Sequence, residues 1–176
     1  MKRWVVAVVA AWCGLVSGSA SAIDGMAVEA GQGDGTDMAR IAIQSTWQRR
    51  FFQGNDWHVG GYWDYGLGQW HRSSPAGQND SITEVGVTPV FRLEQNSLRG
   101  FYGEAAIGFH LYSRTSIGDR RLSTAFQFGD HVGIGYRFGV KSAFDLSYRY
   151  QHLSNGSIKQ PNQGINFNQI RLQYHF

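Results

Sequence analysis

Cysteine is nearly absent from the sequence, since Cys13 is the only one among 176 residues. It lies in an apolar stretch at 4–16 that follows two basic residues and ends in the Ala-x-Ala pattern at 20–22, the layout of a secretory signal peptide. We therefore expect residues 1–22 to be a signal peptide and 23–176 to form a single domain. Because that domain has no thiol, disulfides and cysteine metal sites are excluded from it.

Long hydrophobic runs and a strong excess of one charge are also absent. After the predicted signal peptide, no segment offers the uninterrupted run of about 18 apolar residues that a transmembrane helix needs. Without Lys2 and Arg3 the formal net charge falls from +3 to +1, so the basic pI is no argument for a nucleic-acid partner. Neither a helical membrane anchor nor a nucleic-acid-binding function is indicated.

Apolar and polar residues instead alternate along much of the sequence, in which aromatic residues make up 14% and glycine contributes 23 residues. At 57–67 the odd positions read Trp, Val, Gly, Trp, Tyr and Leu, and at 170–176 the even positions read Ile, Leu, Tyr and Phe. A period of two residues predicts β-strands. Eight segments show this period, at 26–33, 38–49, 55–70, 80–93, 100–112, 126–138, 142–154 and 164–176.

The two faces of these predicted strands differ in a way that distinguishes a membrane barrel from a soluble β-sandwich. The apolar faces carry aromatic residues near the strand ends, like the girdles of outer-membrane barrels, and the chain ends in Phe176 as such barrels end in an aromatic residue. The opposite faces carry too much charge for the dry core of a soluble β-sandwich, where buried charge must be paired. These charges are Arg40, Asp64, Glu84, Arg92, Glu104, Arg137, Asp145, Arg149 and Arg171.

We therefore predict an all-β fold, an eight-stranded antiparallel transmembrane β-barrel of the outer membrane. A barrel of that strand number has a lumen just wide enough to be filled by side chains. The inward charges are expected to form structural ion-pair networks rather than a pore.

The predicted topology indicates which side of the membrane each strand end faces. In outer-membrane barrels both chain ends lie in the periplasm, where turns are short, and the longer loops lie outside. Short connections are predicted at 50–54, 94–99 and 139–141, and longer ones at 71–79, 113–125 and 155–163. The seventh strand would therefore run outward and end at the outer leaflet, which in Gram-negative bacteria is built of lipopolysaccharide.

Two polar residues, His152 and Ser154, end this seventh strand where apolar residues precede them. Side chains two apart share one face of a strand, so both are expected on the lipid side together with Tyr148 and Tyr150. A lone His-x-Ser is common, but polar groups facing lipid are costly and usually functional. The pair is consistent with a serine nucleophile and its histidine base.

A third residue, Asn166, is expected on the lipid-facing side of the eighth strand, which runs back beside the seventh. A register that places Asn166 opposite His152 would complete a Ser, His, Asn set, in which the amide carbonyl accepts a hydrogen bond from the imidazole. The intervening loop is rich in amide groups that could form an oxyanion hole, with Asn155, Gly156 and Asn162 as candidates.

The remaining histidines and the loop arginines are given structural interpretations or left open. None of the histidines shows metal-ligand spacing, so we expect lumen or loop positions and neither a metal nor another cofactor. These histidines are His58, His71, His110, His131 and His175. Arg114, Arg120 and Arg121 either attract lipid phosphates or belong to an ordinary solvated loop.

The segment HLSNGSIKQPNQGIN at 152–166 resembles the active-site motif of the PagL family of lipid A 3-O-deacylases. The resemblance extends over the mature chain in length, signal peptide and strand count. It implies that His152 is the base, Ser154 the nucleophile and Asn162 a loop residue near the oxyanion hole. One position departs from the family pattern, since Asn166 stands where the family has glutamate.

This resemblance implies an outer-membrane esterase that removes the 3-O-linked acyl chain, a 3-hydroxy fatty acid, from lipid A of lipopolysaccharide. Its partners would be this substrate and outer-membrane lipid, with a homodimer left open. The Ser, His, Asn set is also similar to that of outer-membrane phospholipase A, so a phospholipase-type esterase is one alternative. The other is a non-enzymatic small barrel for adhesion or envelope stability, which leaves the polar pair on the lipid face unexplained.

Overall fold

The computed structural model describes residues 23–176, so the predicted signal peptide at 1–22 lies outside the described residues. Eight strands form one closed antiparallel barrel, and the predicted all-β fold of eight antiparallel strands is confirmed. The barrel strands are β1 (Gly25–Gly33), β2 (Thr36–Thr46), β3 (Trp57–His71), β4 (Ser81–Gln95), β5 (Gly100–Tyr112), β8 (Phe126–Phe138), β9 (Phe144–Ser154) and β10 (Ile165–His175). Two further strands, β6 (Ser116–Ile117) and β7 (Arg120–Arg121), pair as a small separate hairpin.

The barrel closes where β1 pairs with β10, so the first and last strands of the described chain lie side by side. We call the end of the barrel that carries Gly25 and His175 the terminal end, and the opposite end the loop end. The loop end carries the connections at 34–35, 72–80, 113–125 and 155–164. No helix among residues 23–176 has the length and hydrophobicity to cross a membrane.

One connection at the terminal end is longer than predicted. The sequence suggested a break at 50–54, whereas β2 ends at Thr46 and β3 begins at Trp57. The Trp47 N–H still donates to Gly61 O at 2.8 Å, in continuation of the β2–β3 register, and the Trp47 ring packs edge-on against Phe91. Beyond Trp47 the chain follows an irregular path to β3. The regular strand β2 therefore ends three residues before the predicted boundary at 49.

The lumen holds the predicted charges as a network of buried ion pairs. The Arg149 guanidinium lies 2.7 Å from a carboxylate oxygen of Glu29 and 2.5 Å from one of Glu104, and Arg171 lies 2.6 Å from Asp64. The opposite faces of the strands expose aliphatic and aromatic side chains instead. The predicted inside-out polarity and the lumen networks are therefore both confirmed.

At the loop end the lumen becomes apolar, because the hairpin segment folds back over it. Ile117 and Leu122 from this segment are fully buried against inward side chains of the strands. These strand residues are Met38, Trp70, Ile82, Tyr112, Leu153, Ile165 and Phe167. Burial of one such side chain contributes about 1.5–3 kcal/mol, so the ends of β9 and β10 are anchored to a packed core.

Candidate active site

The candidate site lies on the outward face of β9 and β10, at the loop end. Antiparallel pairing places Asn166 directly opposite His152, the register that completes the predicted set. The two side chains are joined by a hydrogen bond of 2.7 Å between His152 Nδ1 and Asn166 Oδ1. Ser154 lies two residues further along the same face, and all three side chains are half-buried.

The alternate residues of the same strands explain why the site is held in place. Leu153, Ile165 and Phe167 point inward and are fully buried in the apolar cluster at the loop end. Because successive side chains of a strand point to opposite faces, each buried anchor orients its outward neighbours. The packed core therefore positions His152 and Asn166 from behind.

The serine and the histidine are close in the chain but are not hydrogen-bonded to each other. Within residues 23–176, His152 Nε2 and the Ser154 hydroxyl make no hydrogen bond. Two residues along a strand are separated by about 6.6 Å, so the imidazole must lean toward the serine for proton transfer. Such contacts often tighten only in the substrate complex.

Gly164, at the end of the 155–164 loop, packs directly against the imidazole. Its φ of +61° lies in the left-handed region, and a Cβ on it would lie 2.9 Å from His152 Cε1. Its carbonyl accepts a hydrogen bond of 2.5 Å from Arg120 Nη1. Sequence reasoning did not single out Gly164, although only glycine allows the loop to approach the histidine this closely.

The three predicted oxyanion or loop residues have different surroundings. Asn155 is fully buried, and its Nδ2 donates to Leu122 O at 3.0 Å and Lys159 O at 2.8 Å. Its backbone N–H donates to Asn162 Oδ1 at 3.0 Å. Every N–H group of Asn155 is thus engaged in holding the loop. The Asn162 side-chain NH₂ and the Gly156 backbone N–H have no hydrogen-bond partner in the described part of the chain.

The site is bordered by two carboxylates that sequence reasoning did not select. Asp130 on β8 pairs with His152 from the other side and is exposed on the outward face. Asp34, in the turn between β1 and β2, accepts a hydrogen bond of 2.9 Å from the Asn166 backbone N–H. Asp130 could have been selected from the sequence, because alternation puts it on the outward face of its strand and an acidic side chain facing lipid is unusual. The position of Asp34 depends on barrel closure, which alternation does not reveal.

The loop arginines divide between structural and exposed positions. Arg120 is bonded to Gly164 and lies 3.7 Å from Asp34, and Arg114 donates to the side chain of Asn79. Arg121 is exposed, and its guanidinium has no partner among residues 23–176. The structure therefore assigns Arg120 to the framework of the site rather than to the solvated loop surface.

The other histidines lie where they were expected. His58, His110, His131 and His175 face the lumen, and His71 is exposed at the loop end of β3. Among the described residues, no group of three or more His, Cys, Asp or Glu is arranged to hold a metal ion.

Comparison with protein families matches residues 37–175 to the family described as lipid A 3-O-deacylase (PagL). Two curated relatives are both described as lipid A deacylase PagL. The protein of Pseudomonas aeruginosa is 30% identical over 166 residues, which cover 94% of each chain. The protein of Bordetella bronchiseptica is 39% identical over 95 residues, which cover 54% of this chain and about half, 51%, of that relative.

Solved structures give the same picture of the fold. The crystal structure of the outer membrane enzyme PagL has a TM-score of 0.77 at 24% identity, covering 86% of this chain and 99% of that one. Neisserial surface protein A has a TM-score of 0.51 at 14% identity, covering 86% and 94%. At these identities the likeness shows a shared barrel fold.

Proposed function

The chain belongs to the PagL family of lipid A 3-O-deacylases, and we propose that it removes the 3-O-linked acyl chain from lipid A of lipopolysaccharide. The observation that carries this proposal is the His152 to Asn166 hydrogen bond of 2.7 Å, with Ser154 beside it on an apolar outward face. An ester hydrolase needs a nucleophile and an oriented base of this kind. The apolar surface around them suits a lipid substrate.

The proposal places the barrel in the outer membrane of a Gram-negative bacterium, after removal of a signal peptide at 1–22. The first and last barrel strands begin and finish at the terminal end, and three of the four loop-end connections, 72–80, 113–125 and 155–164, have nine residues or more, whereas 47–56 is the one terminal-end connection of that length. In barrels of this kind the chain ends face the periplasm and most of the longer loops face the outside. The site would then lie at the depth of the outer leaflet, where lipid A is found. All three candidates come from one chain, so a homodimer is not required by this arrangement.

The reaction would proceed by acyl transfer through the serine. Ser154 Oγ attacks the ester carbonyl while His152 Nε2 takes its proton, and the N–H groups of Asn162 and Gly156 stabilise the oxyanion. The ester C–O bond then breaks, and the imidazolium gives the proton to the departing oxygen, which becomes a hydroxyl group of lipid A. Water hydrolyses the acyl-enzyme by the same proton transfers and releases a 3-hydroxy fatty acid.

Asn166 gives this site a neutral third member. Its carbonyl oxygen accepts the Nδ1–H of His152 and leaves Nε2 as the base, as in Cys-His-Asn enzymes. A neutral amide does not offset the charge of the imidazolium as a carboxylate does. We therefore expect turnover to be slower than with an acidic residue at this position.

The chain itself offers matched controls for a test, because a second His-x-Ser pattern occurs at His71 and Ser73, also at the loop end. Purified lipopolysaccharide would be incubated with each protein, and lipid A and released fatty acid measured by mass spectrometry. Ser154→Ala and His152→Ala should lower kcat/KM by about 10³-fold or more. His71→Ala and Ser73→Ala should keep parental activity.

Heat-modifiable migration would establish that every variant still forms a folded barrel. Full activity of folded Ser154→Ala would refute the assignment. A parent that leaves lipid A intact but hydrolyses glycerophospholipid would favour the phospholipase-type alternative, which the Asn166 position makes chemically workable. A folded parent with neither activity would favour a non-enzymatic barrel.

A further inference from the structure

Resting on the proposed function, we propose that Asp34 is a positioning residue that fixes the side-chain amide of Asn166 and, through it, the tautomer of His152. The site would then be a four-residue chain of Ser154, His152, Asn166 and Asp34. In this arrangement the carboxylate missing from the third position is supplied from the neighbouring strand turn.

The hydrogen bonds around Asn166 carry this inference. Asp34 Oδ2 accepts from the Asn166 backbone N–H at 2.9 Å and lies 3.5 Å from Asn166 Nδ2. On its other side the same amide presents Oδ1 to His152 Nδ1 at 2.7 Å. A carboxylate accepts hydrogen bonds and an amide NH₂ only donates them.

Only one orientation of the amide satisfies both neighbours, with the NH₂ toward Asp34 and the carbonyl oxygen toward His152. The reverse orientation would set the Oδ1 of Asn166 against the Asp34 carboxylate, two acceptors facing each other. With the carbonyl oxygen toward His152, Nδ1 must carry the hydrogen, so Nε2 is left unprotonated as the base. Asp34 therefore selects the tautomer that the reaction needs.

The fold brings Asp34 to this point in a defined way. Pairing of β1 with β10 runs from Gly25↔His175 to Gln32↔Asn168, and the same register continued leads Asp34 to Asn166. Gly33 permits the approach, because a Cβ on it would overlap the carbonyl of Asn166.

The residue types at the turn between β1 and β2 suit its backbone conformation. Asp34 and Gly35 have φ of 50° and 72°, the left-handed values of a two-residue hairpin turn that favours Asp and Asn followed by Gly.

Two arginines contact Asp34, one at its backbone and one at its carboxylate. Arg72 Nη1 donates to the backbone oxygen of Asp34, and Arg120 Nη2 lies 3.7 Å from its carboxylate. Arg120 also donates to Gly164 O at 2.5 Å, and Gly164 packs on the imidazole. The turn of β1 and β2 is thus linked to one side of His152 directly, through Asn166, and to the other side through Arg120 and Gly164.

The primary test is Asp34→Asn, compared with Asp37→Asn. Asparagine is at least as well suited as aspartate to the left-handed turn position, so the hairpin is preserved while the charge is removed. We expect kcat to fall about tenfold, the usual scale for a residue behind the reacting groups, with KM unchanged. Asp37 lies in the same hairpin and accepts from Gln32 at 2.8 Å, so its variant should match the parent.

The second arm repeats the substitution in an Asn166→Glu background. A glutamate at 166 would bind His152 directly and face Asp34 as a like charge, so removing the Asp34 charge there should leave kcat unchanged or raise it. A purely structural role for Asp34 predicts the same loss in both backgrounds. Equal losses would therefore overturn the proposal.

A third measurement does not depend on turnover. Nitrogen-15 NMR of His152 in the parent should report hydrogen on Nδ1, and Asp34→Asn should shift the ring toward a mixture of tautomers. An unchanged tautomer in Asp34→Asn would contradict the proposal even if activity fell. If the parent has no deacylase activity, the proposed function fails while this measurement still decides the role of Asp34.

Discussion

At the scale of single residues, Asn166 makes the site unusual and also makes it testable. Its side chain has one oxygen and one NH₂ group, and each faces a different partner, His152 at 2.7 Å and Asp34 at 3.5 Å. The neighbouring outward residue of the same strand, Asn168, accepts instead from Tyr148 OH at 2.5 Å. Two outward-facing asparagines of one strand therefore differ in what they touch.

Asn166→Ala should lower kcat by about 100-fold, because the imidazole loses the acceptor that fixes its tautomer and orientation. Asn168→Ala should leave deacylation within about twofold of the parent, since it removes only a surface hydrogen bond. Both variants would be compared in steady-state deacylation of purified lipopolysaccharide. Equal effects of the two substitutions would argue against a specific role of Asn166.

Gly164→Ala should impair catalysis through steric contact. The added methyl group would lie 2.9 Å from His152 Cε1, so we expect kcat to fall about tenfold as the ring is displaced. Gly77→Ala is the matched control, because Gly77 also has a positive φ, of +86°, but a Cβ there meets no atom within 4 Å. Kinetics and thermal unfolding of both variants would separate the contact from backbone strain.

At the scale of elements, the 155–164 loop is held by side-chain hydrogen bonds more than by burial. Asn155 is the buried centre of this loop, whereas most of its other residues are exposed. Its amide joins the loop to Leu122 in the neighbouring connection and to Lys159 within the loop. The position of the Asn162 amide therefore depends on Asn155.

Asn155→Ala should loosen this loop without opening the barrel. A buried acceptor left unpaired costs about 1–3 kcal/mol, and the buried Leu122 carbonyl would lose its Asn155 donor. We therefore expect faster proteolysis at 155–164 and at least about tenfold lower kcat. Asn96→Ala is the control, since Asn96 Nδ2 donates similarly to the carbonyls of Gly54 and Asn55 at the terminal end. That variant should keep parental activity.

At the scale of the whole molecule, the barrel separates stability from chemistry. The lumen is filled by ion pairs such as Arg171 to Asp64 at 2.6 Å, while the candidate site lies on the outer surface. Ion pairs of this kind contribute little net free energy compared with apolar packing, but removal of one partner leaves an uncompensated buried charge. The lumen therefore determines how firmly the barrel holds together, with no direct contact to the reacting groups.

Arg171→Met should lower the free energy of unfolding by about 3–5 kcal/mol, because Asp64 and Glu29 lose a buried cationic partner. The heat-modifiability transition in detergent should shift to lower temperature, with deacylation of the folded fraction retained at low temperature. Arg50→Met provides the control, since Arg50 is exposed in the connection between β2 and β3. An unshifted transition for Arg171→Met would contradict a structural role for the network.

Residue alternation by itself determined the strand number, the inward charges and the outward parity of His152, Ser154 and Asn166. It did so because strand periodicity is local, and a side chain two positions away shares its face wherever the strand lies. The same parity made the pairing of Asn166 with His152 a specific expectation, and the structure has this register. The catalytic roles of these residues remain predictions.

Only the tertiary structure decided what surrounds that pair. Asp34 reaches Asn166 across 132 positions of sequence, Arg120 reaches Gly164 across 44, and β2 ends earlier than alternation indicated. These contacts depend on the closure of β1 onto β10 and on the folding of one loop over the lumen. Barrel closure and the folding of this loop are not visible in the residue alternation, because contacts between distant segments depend on register and shape rather than on local pattern.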